Sequence, residues 1–114
     1  MDRPVAVVVG VGAERGLGAA LCRRFAAGGH HVLVAGRTAA KIEQVVRTIA
    51  AAGGSAEPVV TDATREADVV RLFDRAAAPG PGLAPVDLVV ANTANNRHVP
   101  FRELEAEQIG RAHV

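Results

Sequence analysis

Four short apolar segments alternate along the chain with longer segments in which apolar residues recur every three or four positions. The short segments run from Arg3 to Gly10, His31 to Ala35, Ala56 to Thr61 and Val86 to Ala91. They are rich in β-branched residues and too short for a helix, which is typical of strands that are buried on both faces. We therefore predict four strands, of which the first, second and fourth are expected to be buried.

The segments between these strands have the apolar spacing of amphipathic helices. From Gly16 to Ala27 the larger apolar residues recur every four positions, and Gly28 and Gly29 then supply a stop signal. Thr38 offers an N-cap hydroxyl to a second helix, and Thr64 precedes a third. The apolar stripes of these two helices are predicted to consist of Ile42, Val45, Val46, Ile49 and Ala52 and of Val69, Leu72, Phe73 and Ala76.

The order of these elements predicts the fold class. Strands that alternate with helices of about 10 to 15 residues imply right-handed βαβ crossovers and a parallel sheet. We expect a doubly wound α/β domain of about four strands in the order 3-2-1-4, with helices on both faces of the sheet. A loop is predicted from Pro79 to Pro85, and a further helix is predicted to start near Phe101 to Gln108.

The composition excludes several classes of protein. The 114 residues suffice for one small domain, and their net charge of +1, without a basic run, argues against nucleic acid as a partner. No apolar run approaches the roughly 20 residues that cross a membrane. The single cysteine, Cys22, and the absence of a secretory signal favour a reduced, cytoplasmic protein. No metal site is predicted, because His30 and His31 have no plausible partners for one.

A glycine-rich segment links the first strand to the first helix. It reads GVGAERGLG from Gly10 to Gly18. Missing side chains at this position allow a pyrophosphate to approach backbone N–H groups at the positive end of a helix. The alternative interpretation is that the glycines only form a tight strand-to-helix turn. A P-loop is excluded, because no Gly-Lys-Ser/Thr sequence follows.

The residues after the second strand indicate which nucleotide fits. Folds that bind NAD or S-adenosylmethionine usually have an acidic residue there for the ribose hydroxyls, whereas this chain has Arg37. A guanidinium group matches the oxygens of a 2′-phosphate, which a carboxylate would repel. We therefore expect NADP(H) in preference to NAD(H). The alternatives are that Arg37 is only an exposed charge of its loop and that the domain is methyltransferase-like.

Two segments and two single residues of the chain resemble the sequence pattern of the short-chain dehydrogenases/reductases. The segment VGAERGLG, residues 11–18, is similar to that family's Thr-Gly-x-x-x-Gly-x-Gly fingerprint. Arg37 follows the second strand and Asp62 follows the third. The quartet ANTA, residues 91–94, follows the fourth strand, where the family has Asn-Asn-Ala-Gly. The resemblance spans the chain from Val5 to about Gln108.

The resemblance implies a role for each matching residue. The chain departs from the pattern where Val11 replaces a threonine hydroxyl and where Ala91 and Ala94 replace an asparagine and a glycine. The implied contacts are Gly12, Gly16, Leu17 and Gly18 with the pyrophosphate, Arg15 and Arg37 with the 2′-phosphate, Asp62 and Ala63 with the adenine, and Asn92, Thr93 and Ala94 with the ribose nearer the nicotinamide.

The resemblance also implies a reaction whose catalytic groups this chain lacks. The family transfers hydride between a nicotinamide and a carbonyl or alcohol carbon, using a Tyr, a Lys and a Ser that all lie beyond the fourth strand. This chain has no Tyr, and its only Ser and Lys are Ser55 and Lys41, which lie earlier. No catalytic residue is therefore assigned. The alternative is a non-catalytic NAD(P)-binding sensor module.

These observations predict how the chain is organised. Residues 1–108 are expected to form the N-terminal part of a Rossmann-type NAD(P)-binding domain, inactive by itself. The full-length protein is expected to be a homo-oligomer that acts on a small carbonyl or alcohol substrate. Residues 109–114 (IGRAHV) are predicted to be a non-native tail, because codons for QIGRAHV can contain the opening of a common sequencing adapter.

Overall fold

The structure is a computed structural model that describes residues 2–13 and 15–92. Within these residues the chain alternates between strands and helices, as its apolar pattern predicts. The elements are β1 (Arg3–Val9), α1 (Leu17–Ala27), β2 (His31–Gly36), α2 (Ala39–Ala51), β3 (Ser55–Val60), α3 (Glu66–Ala77) and β4 (Leu83–Ala91). The expected helix near residues 101–108 and the predicted tail at 109–114 lie outside the described residues.

The four strands form one parallel sheet in the order β3-β2-β1-β4. The central strand, β1, pairs with β2 on one side, where Val7 is opposite Leu33, and with β4 on the other, where Val7 is opposite Val89. The chain therefore proceeds outward from β1 to β3 and then returns to the opposite side of β1. The predicted doubly wound α/β fold and its strand order are confirmed.

Successive residues of β1 point into two different cores. Ala6 and Val8 pack with residues of α1 and α2 on one face of the sheet. Val5 and Val7 pack with α3 on the other face. All four side chains are completely buried. This explains why the strand is apolar without alternation, since each of its faces is covered by helices.

Strand β4 begins three residues earlier than its apolar pattern predicts. Leu83 pairs with Arg3, so the end of the predicted loop at Pro79 to Pro85 belongs to the strand. The pairing with β1 shifts register between Arg3 and Val5 and again between Val5 and Ala6. Because β4 is at the edge of the described sheet, Pro85 is tolerated there without a backbone donor.

The helices cover the sheet less completely than their stripes predict. Ile42, Val45 and Ile49 are buried in α2, but Ala52 is its exposed C-cap residue and Val46 is half-buried. In α3 the buried residues are Leu72 and Ala76, while Val69 and Phe73 are half-buried. Thr38 is the N-cap residue of α2, yet its hydroxyl makes no capping hydrogen bond.

Polar side chains at the amino ends of β2 and β3 form a closed network. His31 Nδ1 lies 2.6 Å from Ser55 Oγ, and His31 Nε2 lies 2.8 Å from Glu57 Oε1. Since a carboxylate only accepts, Nε2 carries a proton and donates to Glu57. Arg75 of α3 donates to both carboxylate oxygens, from Nε at 3.0 Å and Nη2 at 2.7 Å. Sheet and helix are thereby joined at this end.

No helix in residues 2–13 and 15–92 is long and apolar enough to span a membrane.

Candidate functional site

The candidate site lies at the carboxyl ends of β1 and β4, on either side of the point where the strand order reverses. In open α/β sheets, ligands bind in the crevice at this position. The backbone N–H of Asn92, the residue after β4, donates to the carbonyl oxygen of Val9 at 2.7 Å. Asn92 therefore lies directly beside the start of the glycine-rich segment.

The glycine-rich segment is anchored to β2 at its beginning. Gly10 adopts a left-handed φ of 88°, which an L side chain disfavours. The N–H groups of Gly10 and Val11 both donate to the carbonyl oxygen of Ala35 at 2.9 Å. The side chain of Val11 is only 3% exposed and belongs to the core beneath α1 and α2. Where the family pattern has a threonine hydroxyl, this chain thus has an apolar anchor.

The glycines of the site have different reasons to lack a side chain. A Cβ atom at Gly18 would lie 3.1 Å from the Cα of Val11 and 3.3 Å from Asn92 Nδ2, so this glycine permits close packing of α1 against the strand ends. A Cβ atom at Gly16 would lie 3.1 Å from the oxygen of Ala13. At Gly12 no atom of the described residues lies within 4 Å. Gly12 therefore borders open space, where a ligand can approach the backbone.

Gly36 is a further glycine of the site that sequence reasoning missed. A Cβ atom there would lie 2.1 Å from the oxygen of Val11 and 2.8 Å from Ile42 Cγ2. The glycine-rich segment therefore crosses directly over the end of β2. The only sequence signal is a glycine that ends a buried strand, immediately before Arg37.

The N-terminus of α1 has the features of an anion site. Its N-cap residue, Gly16, has no side chain to cap the helix, and its first turn contains no acidic residue. The N–H groups of Gly12, Leu17 and Ala19 donate to no backbone oxygen in the described part of the chain. Such unpaired N–H groups, together with the helix dipole, favour a bound anion. Leu17 itself is 64% exposed.

Two arginines of the site lack partners within the described residues. Arg15 and Arg37 are both exposed, and neither forms an ion pair or a side-chain hydrogen bond to residues 2–13 or 15–92. Arg37 follows β2, and its positive charge acts on the carboxylate of Asp62 after β3. Arg37 therefore brings to this edge of the sheet a guanidinium group that no described carboxylate contacts directly.

The loop after β3 presents a fixed carboxylate. The hydroxyl of Thr64 donates to Asp62 Oδ1 at 2.6 Å, and the N–H of Thr64 donates to the same atom at 2.9 Å. These two bonds, helped by the charges of Arg37 and Arg65, hold the pKa of Asp62 below its ordinary value. Asp62 Oδ2 accepts no hydrogen bond from a described residue. Ala63, beside it, is exposed.

The described residues thus bring most of the predicted site residues to one edge of the sheet. Thr93 and Ala94 lie outside the described residues, and the roles assigned to all the site residues stay predictions. Cys22 packs in the core beneath α1, where burial raises the pKa of its thiol to about 12.

Known proteins share both the sequence pattern and the fold. A family model for short chain dehydrogenase matches residues 5–113. The uncharacterized oxidoreductase YuxG of Bacillus subtilis (strain 168) is 39% identical over 109 residues, which are 94% of this chain and 15% of YuxG.

Solved structures resemble the described domain. A short-chain dehydrogenase from Rhodopseudomonas palustris has a TM-score of 0.73 and 29% identity, over 95% of this chain and 48% of that one. A metagenomic short-chain oxidoreductase in complex with NADP has a TM-score of 0.68 and 32% identity, over 86% of this chain and 40% of that one. The chain spans less than half the length of each of these relatives.

Proposed function

Because the chain belongs to the short chain dehydrogenase family, we propose that it is the NADP(H)-binding half of an oxidoreductase. The whole protein transfers hydride between NADP(H) and a carbonyl or alcohol substrate. The observation that carries this proposal is the uncapped N-terminus of α1 beside two arginines without partners in the described residues.

The pyrophosphate of the cofactor binds at the N-terminus of α1. The N–H groups of Gly12, Leu17 and Ala19 are available there, and no acidic side chain of the first turn repels the ligand. The open space at Gly12 lets phosphate oxygens approach the backbone. Gly16 and Gly18 keep the turn close to the strand ends, so that these donors converge.

The 2′-phosphate of NADP(H) binds Arg37 and Arg15. In the same position, a family member that prefers NAD(H) presents a carboxylate to the ribose hydroxyls, whereas β2 of this chain ends in Gly36 and Arg37. Both guanidinium groups are exposed, so bringing a phosphate to them displaces no protein partner from the described residues. Charge-assisted hydrogen bonds to phosphate are stronger than neutral ones.

The two ends of the cofactor contact the loops after β3 and β4. Asp62 and Ala63 bind the adenine, and Asn92, Thr93 and Ala94 bind the ribose nearer the nicotinamide. The close approach of Asn92 Nδ2 to Gly18 supports this placement, since it brings the end of β4 beside the pyrophosphate site. When bound, the cofactor supplies or accepts the hydride, and the residues of this chain hold and orient it.

By itself the chain binds the cofactor without catalysing hydride transfer. The family's acid/base group is a tyrosine, and the 114 residues contain none. The substrate and the oligomeric state belong to the whole protein, which we propose to be a cytoplasmic homo-oligomer. The same absence favours a second candidate, a sensor module that binds NADP(H) and does no chemistry. Sequencing the source DNA beyond codon 108 separates them, because an open frame with Tyr-x-x-x-Lys supports the enzyme.

A titration with NADPH, NADH and S-adenosylmethionine tests the cofactor proposal. NADPH is expected to bind most tightly. Arg37→Ala should raise the Kd for NADPH about tenfold and leave that for NADH unchanged, since only NADPH carries the 2′-phosphate. Arg24→Ala, an exposed arginine near the other end of α1, is the matched control and should change neither. Equal binding of NADPH and NADH contradicts the preference, and tighter binding of S-adenosylmethionine supports the methyltransferase alternative.

A further inference from the structure

We propose that Asp68, a residue of α3, is a positioning residue that sets the adenine end of the site by holding the backbone of Asp62. This inference rests on the proposed function, because it concerns how the cofactor's base is recognised. Asp68 itself is not expected to touch the cofactor. Its effect passes through the loop from Asp62 to Arg65.

The contact between Asp68 and Asp62 closes this loop on the helix. Asp68 Oδ2 accepts a hydrogen bond from the backbone N–H of Asp62 at 2.9 Å. The loop is closed a second time where the N–H of Arg65 donates to the carbonyl oxygen of Asp62 at 2.9 Å. The side chain of Asp68 is only 20% exposed, which limits competition from water. The backbone of Asp62 is therefore fixed relative to the first turn of α3.

Asp68 is itself held in place. Its second oxygen, Oδ1, accepts from Arg71 Nη2 at 2.9 Å. The bond from the backbone of Asp62 and the charge of Arg71 together keep the pKa of Asp68 below its ordinary value, against the opposing effect of burial. Asp68 therefore accepts this hydrogen bond as a carboxylate at neutral pH.

Thr64 completes the arrangement by fixing the rotation of the Asp62 side chain. Its hydroxyl and its N–H both bind Oδ1, which leaves Oδ2 as the open acceptor. An adenine has an exocyclic amino group, which can donate a hydrogen bond to Oδ2. The neighbouring N–H of Ala63 is placed by the same loop. Asp68 therefore determines the positions of the acceptor, Asp62 Oδ2, and of the donor, the N–H of Ala63, although it does not itself bind the adenine.

The experiment compares NADPH with its hypoxanthine analogue, in which a carbonyl oxygen replaces the amino group of the adenine. The wild-type chain should prefer NADPH, because the analogue cannot donate to Asp62. Asp68→Ala should reduce this preference about three- to tenfold, the usual worth of one hydrogen bond. Asp68→Asn should retain it, since an amide oxygen still accepts from the N–H of Asp62. Asp74→Ala, at an exposed aspartate of the same helix whose carboxylate bonds no described residue, is the matched control.

A second variant separates positioning from folding. Asp68→Glu keeps a negative charge in the first turn of α3 but displaces the carboxylate by one methylene group, so it should also weaken the preference. If the wild type prefers NADPH and both Asp68→Ala and Asp68→Glu keep that preference in full, this inference alone is wrong. If the wild type binds neither nucleotide, the proposed function fails and the inference fails with it.

Discussion

The two ends of the sheet treat polar side chains in opposite ways. At the amino ends of β2 and β3, His31, Ser55, Glu57 and Arg75 satisfy one another, with contacts of 2.6 to 3.0 Å. At the carboxyl ends, the N–H groups of Leu17 and Ala19 have no backbone partner within residues 2–13 and 15–92, and the guanidinium group of Arg37 has no hydrogen-bond or ion-pair partner there. Groups that are paired internally stabilise the fold, whereas unpaired donors at an exposed edge are available to a ligand.

The physical basis of this difference is desolvation. A polar group that is removed from water costs free energy unless it finds a partner. His31 is 8% exposed and has partners on both ring nitrogens. Arg15 and Arg37 remain in water and need none. A binding edge can therefore stay open only where its polar groups are solvated, as they are beside the glycine-rich segment.

The substitution with the largest expected effect is Gly36→Ala, which disrupts the packing of the glycine-rich segment over the end of β2. Its Cβ atom would lie 2.1 Å from the backbone oxygen of Val11, and backbone cannot rotate away as a side chain can. We expect a loss of about 3 kcal/mol in the free energy of unfolding. Urea denaturation followed by circular dichroism measures it, since the chain has no tryptophan. An unchanged midpoint would show that the segment does not cross β2 this closely.

Arg75→Ala tests the hydrogen-bonded network at the amino ends of β2 and β3. It should have the next largest effect on the free energy of unfolding. It removes the two hydrogen bonds to Glu57 and the contact from Nη1 to the oxygen of Pro79 at 2.6 Å. We expect a loss of about 2 kcal/mol, because a half-buried carboxylate is left without its cation. Arg47→Ala is the control, since among the described residues the side chain of that exposed arginine bonds only Gln44. Equal losses in the two variants would argue against a stabilising network.

Gly12→Ala sharpens the comparison because it should affect binding and not stability. No atom of residues 2–13 or 15–92 lies within 4 Å of the added Cβ, so the free energy of unfolding should stay within about 0.5 kcal/mol of the wild type. The methyl group nevertheless occupies the space through which the pyrophosphate approaches, and the Kd for NADPH should rise about tenfold. Gly28→Ala, at the other end of α1, is the matched control for both measurements. An unchanged Kd for NADPH would show that the pyrophosphate does not bind at Gly12.

The sequence predicts the fold better than it predicts the details of the site. The β-branched runs and the element order predict the strand order, but the burial expected for the fourth strand is wrong. Strands β1 and β2 are buried, whereas β4 is only half-buried because it is at the edge of the described sheet. The start of β4 at Leu83 was missed, because Leu-Ala-Pro resembles a loop until its pairing with Arg3 is known.

Two site residues escaped prediction for the same reason. Gly36 and Asp68 act through contacts that exist only after folding, with the oxygen of Val11 and with the N–H of Asp62. The spacing of glycines in residues 10–18, by contrast, is visible in the sequence because the phosphate loop is local. Local motifs are therefore predictable from the sequence, while the residues that hold two loops together require the structure.

The smallest expected effect is the pH dependence of the closed network. Burial raises the pKa of Glu57, but hydrogen bonds from Arg75 and His31 outweigh burial and hold that pKa below its ordinary value. A lowered carboxyl pKa in the folded state stabilises the fold above the unfolded pKa of about 4.3, and this stability is lost as the pH falls towards the folded value. Glu57→Gln should therefore be less stable than the wild type at pH 7, with a difference that narrows below about pH 4.3. Asp62 and Asp68 also have lowered pKa values, but the wild type and the Glu57→Gln variant both contain these two residues. Their contribution therefore cancels in the difference between the two free energies of unfolding. If the difference in the free energy of unfolding stays constant between about pH 6 and pH 3, the charge of Glu57 does not stabilise the network at the amino ends of β2 and β3.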